Sequence, residues 1–300
     1  MAIQTVAVIG ASGNVGAPTV QALLAAGFKV TAISRTTSTA TFPPSVTVIK
    51  ADLSSIESLT SAFKDQDAVI VTTATSEVDK QTILVDAAVA AGVKRFIPSE
   101  FGHAFPKLSG GLAAILSAKA KVAEYIEEKA RAHQEFTWTT IATSPFFDWG
   151  LDHGLWGINL KEKTARVIDS GDELVSTSTL GFVAQTIVSV LQREEETKNK
   201  LIEVVEFNVS QNEVLRTFEE ETGSKLEVQV LSGKELGRAG EEKLAKGDVW
   251  AAFFDLLLAW SFADGGNHAV KEDELANTQL GLKGQSVREA IRKYIKTCSG

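Results

Sequence analysis

Gly10-Ala11-Ser12-Gly13-Asn14-Val15-Gly16 spaces three glycines as G-x-x-G-x-x-G. The turn follows the apolar, β-branched run 3–9 and opens a helix-like stretch at 15–26. In that context each glycine has a task. Gly10 permits a tight turn, Gly13 lets backbone approach a diphosphate, and Gly16 lets helix pack closely on strand. The helix start adds free N–H groups and the positive end of its dipole. The turn therefore predicts a dinucleotide diphosphate held on Gly10, Ser12, Gly13, Asn14, Val15 and Gly16. A glycine-rich turn without a ligand is the plain alternative.

A second signal lies 19 residues past Gly16, where the strand-like run 29–34 ends in Ser34-Arg35, followed by Thr36, Thr37 and Ser38. A site for an unphosphorylated ribose would carry a carboxylate there. A guanidinium among hydroxyls suits a 2′-phosphate, so Arg35 predicts NADPH. Alternatively Arg35 is a surface residue in a polar loop. Asp52 and Leu53, after the third strand, are placed beside the adenine; Asp52 also reads as an ordinary helix-start residue.

Lys119 is the candidate for proton chemistry. Beside a nicotinamide ring, partial burial and positive charge would both lower its pKa into a useful range. The chain has only two tyrosines, Tyr125 and Tyr294, and Ile115 occupies the position four before Lys119. Tyr125, six residues on, faces elsewhere on a helix. Lys121 and Lys119 cannot both point inward, and either reads equally as an exposed lysine. There is no G-x-S-x-G nucleophile, and the four histidines, 103, 133, 153 and 268, lack metal-ligand spacing, so no metal is expected. His133 reads as a helix-end cap. His103 follows Pro98-Ser99-Glu100-Phe101-Gly102 at a strand's carboxyl end, where it lines a pocket or is a solvated loop residue.

These residues need a scaffold that gathers strand ends. Runs 3–9, 29–34, 46–50, 68–71, 93–97 and 137–141 read as strands, separated by helical patterns at 15–26, 54–63, 77–91 and 117–132. Ser54 with Glu57 reads as a capping box. Such alternation predicts a doubly wound α/β fold with a parallel sheet. Beyond 145 the pattern changes. A helix at 180–191, a strand at 201–209, a helix capped by Ser210 with Glu213, a strand at 225–231 and helices at 248–262 and 286–296 are expected. Residues 1–150 form the dinucleotide-binding domain, with 175–200 returning to it. Residues 151–174 and 201–300 form a smaller α/β substrate lobe.

Composition closes off other classes. The 38 acidic against 30 basic residues leave a net charge of −8, with no basic run to attract nucleic acid or a membrane surface. The longest apolar stretch, Val249 to Trp260, is interrupted by Asp255 and too short to span a bilayer. One cysteine, Cys298, and no leader pattern after Met1 point to the cytoplasm. A small-molecule substrate is expected, and a monomer or homodimer.

Several stretches resemble the NmrA-like and isoflavone reductase-like group of atypical short-chain dehydrogenases: VIGASGNVG (8–16), ISR (33–35), Gln81 with DAAVAAGVKRFIPSEFG (86–102), KAKVAEYIE (119–127) and TSPFFDW (143–149). The resemblance implies a Rossmann domain binding NADPH and a smaller substrate lobe. It places the catalytic lysine at Lys119 and sets Thr72, Thr73 and Ala74 along the cofactor. The group's Asn-x-Phe near the nicotinamide falls on Ser144-Pro145-Phe146, with serine replacing asparagine. Phe101, His103, Phe147, Trp149 and Trp156 are expected to line the substrate pocket; the aromatics read equally as inter-lobe core. The implied activity is NADPH-dependent reduction of a small aromatic or conjugated substrate. Quinone or imine reduction on the same architecture stays open. The alternative is a non-catalytic, NADP(H)-sensing regulator, which the group also contains.

Overall fold

The computed structural model describes residues 2–298; Met1, where the leader reading begins, lies outside them. The first half runs β1 (Thr5–Ile9), α1 (Gly16–Ala25), β2 (Lys29–Arg35), β3 (Thr47–Ala51), α2 (Ile56–Ala62), β4 (Ala68–Val71), α3 (Gln81–Ala90), β5 (Arg95–Ile97), α4 (Gly110–Ile115), α5 (Ser117–Ala132) and β6 (Thr137–Ala142). The second half continues with α6 (Phe147–Asp152), β7 (Ile158–Asn159), β8 (Thr164–Ile168), β9 (Val175–Thr177), α7 (Leu180–Gln192), α8 (Glu194–Thr197) and β10 (Lys200–Glu203). It ends with β11 (Phe207–Val209), α9 (Gln211–Thr222), β12 (Glu227–Leu231), α10 (Gly233–Ala245), α11 (Val249–Phe262) and α12 (Val287–Cys298).

Seven strands form the main sheet in the order β10-β6-β5-β4-β1-β2-β3. Every pairing in it is parallel. The doubly wound expectation holds, and its cause is visible in β1. Val6 and Val8 enter one apolar cluster with α1 and α7, while Ala7 and Ile9 enter the other with α2, α3 and α5. A strand buried on both faces must be apolar at every position, because successive side chains alternate between faces.

Local details depart from the sequence reading. The cap of α2 is Ser55, whose Oγ accepts the Ser58 N–H at 3.2 Å. Ser54 is instead engaged by Asp52, which accepts its N–H at 2.9 Å and its hydroxyl at 2.6 Å. That local turn delays the helix by one residue. Helix 77–91 opens as a 3₁₀ turn over Thr75–Lys80. The strand expected at 201–209 is two strands. β10 pairs with β6 in the main sheet, then the chain crosses to pair β11 with β9. Val204 lies in the main core, so the main body extends past residue 200.

A third cluster joins α6, α9, α11 and α12 with β8. Helix α10 was not legible in the sequence because Gly233, Gly237 and Gly240 lower its helix propensity. The structure gives them a use. A Cβ at Gly233 would sit 2.5 Å from the Ala263 Cβ, and one at Gly240 would sit 2.7 Å from Leu256 Cγ. The glycines let α10 lie close against α11.

Candidate active site

Strand order reverses at β1, which lies between β4 and β2. Open α/β sheets bind ligands in the crevice at that reversal, beyond the carboxyl ends of the strands. The glycine turn fills this place. Gly10 has φ +80°, and a Cβ on it would meet Thr72 O at 2.6 Å. A Cβ on Gly16 would meet Gly10 O at 2.1 Å, so both glycines are needed for backbone packing. Gly13 differs. Its Cβ would come 3.2 Å from Gly10 O, and the residue faces a cavity. Its N–H donates to Gly10 O at 2.8 Å, which closes the turn. The first turn of α1 carries no acidic residue to repel an anion.

The cavity measures about 520 Å³. Its lining includes Gly13, Asn14 and Val15 of the turn and Thr72, Thr73 and Ala74 after β4. Phe101, His103, Lys119, Phe146 and Trp149 line the same cavity. A second hollow of about 540 Å³ holds Arg35, Thr36, Thr37, Asp52 and Leu53, with Lys80. Ser12 is exposed on the turn and lines neither hollow. Hydrogen bonds from Ser54 hold the Asp52 carboxyl below the usual carboxylate range.

Lys119 is buried in the first turns of α5. Its Nζ donates to the Glu100 carbonyl at 3.1 Å and lies 3.7 Å from Glu100 Oε2. A Cβ on Gly102 would lie 3.6 Å from Nζ, an ordinary contact, so Gly102 adjoins Nζ without being required for its space. Burial pushes Lys119 below the ordinary lysine value, opposed by the Glu100 charge. Burial likewise pushes Glu100 up, against the pull of Lys119. Lys121 is exposed, and the Tyr125 hydroxyl donates to Asp86 of α3 at 2.7 Å, away from the cavity.

His103 lines the cavity with its Nε2 buried and without a hydrogen-bond partner. The ring packs edge-on to Trp260 at 4.3 Å, and His268 stacks on Trp260 at 3.8 Å. Burial holds the His103 imidazole down at about 3, so it stays neutral at physiological pH. Thr73 Oγ1 is a second buried, unpartnered group on the cavity wall. His133 is the C-cap of α5.

Two expected pocket residues are elsewhere. Phe147 is 0% and Trp156 1% exposed, and neither lines the cavity. Their rings pack 5.1 Å apart, and Trp156 meets Phe262 at 5.3 Å. The period of α6 explains the split: Phe146 and Trp149 present one side, and Phe147 and Leu151 the other. Phe147→Ala is therefore expected to cost about 3–5 kcal/mol of stability, the usual cost of truncating a buried phenylalanine. Urea unfolding checks this, and Trp149→Ala should show a much smaller shift in midpoint.

Sequence reasoning assigned no role to Glu100, although it stands inside the quoted PSEFG stretch. It also read Trp250, Phe253 and Phe254 of α11 only as an apolar helix; these line the cavity. Their i, i+3, i+4 spacing was visible, but nothing in it said which side would face a ligand. Among the described residues no helix is long and apolar enough to cross a membrane.

Comparison with known proteins bears on this geometry. The profile of the NmrA-like family matches residues 2–245. The oxidoreductase poxI of Penicillium oxalicum is 33% identical over 292 residues, covering 95% of this chain and 92% of its own. The crystal structure of an isoflavone reductase matches with a TM-score of 0.79 at 21% identity, covering 97% of this chain and 99% of its own. The leucoanthocyanidin reductase–NADPH binary complex from Vitis vinifera matches with a TM-score of 0.76 at 20% identity, covering 97% of this chain and 99% of its own. At those identities the two structures establish the shared fold.

Proposed function

The chain belongs to the NmrA-like family, and from that premise we propose that it is an NADPH-dependent reductase of a small aromatic or conjugated substrate, with Lys119 handling the proton. The observation that carries this reading is the buried Lys119 side chain on the wall of the apolar cavity that Gly13 also lines. Similarity to a curated oxidoreductase supports it, as does a shared fold with a reductase solved with NADPH.

The residues present fit the cofactor. Gly13 leaves a cradle that a side chain would fill, and the start of α1 has no competing carboxylate. Gly10 and Gly16 shape that turn, and Ser12, Asn14 and Val15 complete it around the diphosphate. Arg35 would hold the 2′-phosphate, with Asp52 and Leu53 beside the adenine. Thr72, Thr73, Ala74 and Phe146 would flank the remainder. When bound, NADPH supplies a hydride. Lys119 in its ammonium form gives the matching proton to the substrate. Phe101, Trp149 and the α11 aromatics exclude water around it, and His103 offers a neutral hydrogen-bonding edge.

NADPH oxidation followed against quinones, enones, aldehydes, imines and phenylpropanoids tests the reading. Turnover of one class is the expected result. Tight NADPH binding with no turnover across the panel would favour a regulatory, NADP(H)-sensing role instead. Cofactor choice is a separate prediction. A charge-assisted contact contributes about 1.5–3 kcal/mol, so NADPH should bind at least ~10-fold tighter than NADH. Arg35→Asp should reverse the preference, because repulsion replaces attraction. Equal affinities for both cofactors in the unmutated protein, measured by fluorescence titration, would remove Arg35 from this role.

A further inference from the structure

Glu100 is buried beside Lys119. Its segment is pinned on both sides. The Ser99 N–H donates to Gln81 Oε1 at 2.7 Å, and its hydroxyl donates to Thr73 O at 2.7 Å. Two residues further on, Gly102 O accepts the N–H groups of Thr143 and Ser144 at 2.9 and 3.0 Å. Glu100 is thereby held away from solvent, and among the described residues its ion pair is with Lys119. A buried charge without a partner is strongly disfavoured, so each of the two residues depends on the other.

We propose that Glu100 is the positioning residue of Lys119: its main-chain carbonyl fixes Nζ at the cavity wall, and its carboxylate keeps that nitrogen protonated between turnovers. The inference rests on the catalytic reading of Lys119. The groups around Lys119 leave the task to Glu100. His103, on the loop after β5, is neutral. Lys121 on α5 itself is exposed, and the end of β6 offers uncharged Ser144, Pro145 and Phe146. Proton donation needs the ammonium form, so reduction slows as pH rises through the Lys119 titration. Neutralising Glu100 removes the attraction and leaves the burial, so that fall must move to lower pH. An opposite charge at this range shifts a pKa by about 1–3 units.

The test is Glu100→Gln in the full chain carrying lysine labelled with ¹³C at Cε, with the Lys119 signal assigned through Lys119→Met. This titration requires no substrate. The Lys119 midpoint should drop by about one pH unit or more, and the alkaline limb of kcat should drop with it. Glu100→Asp keeps the charge at a longer reach and should give a smaller shift in the same direction. If Glu100→Gln does not fold, Glu100→Asp decides alone. A folded variant whose Lys119 midpoint does not move overturns the proposal, even if kcat is reduced, because a merely structural role would lower the rate without moving the titration. Failure of the catalytic reading shows separately, as full kcat in Lys119→Ala.

Discussion

Lys119→Ala is expected to lower kcat by about 10²–10⁴-fold, the usual contribution of a positioned acid–base group. No neighbour can take over. His103 has its imidazole held at about 3, so it has no imidazolium proton to give at neutral pH. Tyr125 is engaged with Asp86 on the far side of α5. NADPH affinity should fall far less, because the glycine turn and Arg35 lie apart from Nζ. Lys119→Arg should not rescue. A guanidinium does not release its proton near neutral pH. Lys121→Ala should be nearly silent, since that side chain is exposed. Single-turnover NADPH oxidation on the substrate found by the panel checks all three. Loss of rate in Lys121→Ala, with none in Lys119→Ala, would mean that the wrong lysine carries the proton.

The parallel sheet was readable because β1 and β4 are buried on both faces, which forces continuous apolar runs. The inward turn of Lys119 was readable only as one of two alternatives. Helical geometry said that Lys119 and Lys121 diverge, not which faced the cavity. That choice is made by where α5 packs, with Val122 and Ile126 locking onto the core beneath the sheet. Phe147 and Trp156 were misplaced for the same reason. Aromatic content identifies a buried region, while the split between wall and core depends on the exact start of α6. Glu100 was overlooked because a lone carboxylate has no spacing signature. Its partner is 19 residues away, and the fold brings them together. Helix α10 shows the converse: its glycines weaken the local signal because they serve a contact with α11.

The three glycines of the turn should separate binding from folding. Gly13→Val is expected to weaken NADPH binding at least ~100-fold, which is about 2.8 kcal/mol at 1.4 kcal/mol per tenfold. Its Cβ would stand 3.2 Å from Gly10 O, a contact that a small shift relieves, and its methyls would project into the space proposed for the diphosphate. Melting temperature should therefore change little. Gly16→Val must fail differently. Its Cβ would overlap Gly10 O at 2.1 Å, and no side-chain rotation relieves a backbone clash. Gly10→Val combines a 2.6 Å approach to Thr72 O with a φ of +80° that a β-branched residue resists. Both should destabilise the fold by about 1–3 kcal/mol or more, as overpacking does. Calorimetric titration with NADPH, run beside thermal melts of all three variants, distinguishes the cases. Near-normal titration of Gly13→Val would mean that the turn serves only to join strand to helix. Equal loss of stability at all three positions would mean that Gly13, like its neighbours, is there for packing, and the diphosphate would have to be sought elsewhere along the strand ends.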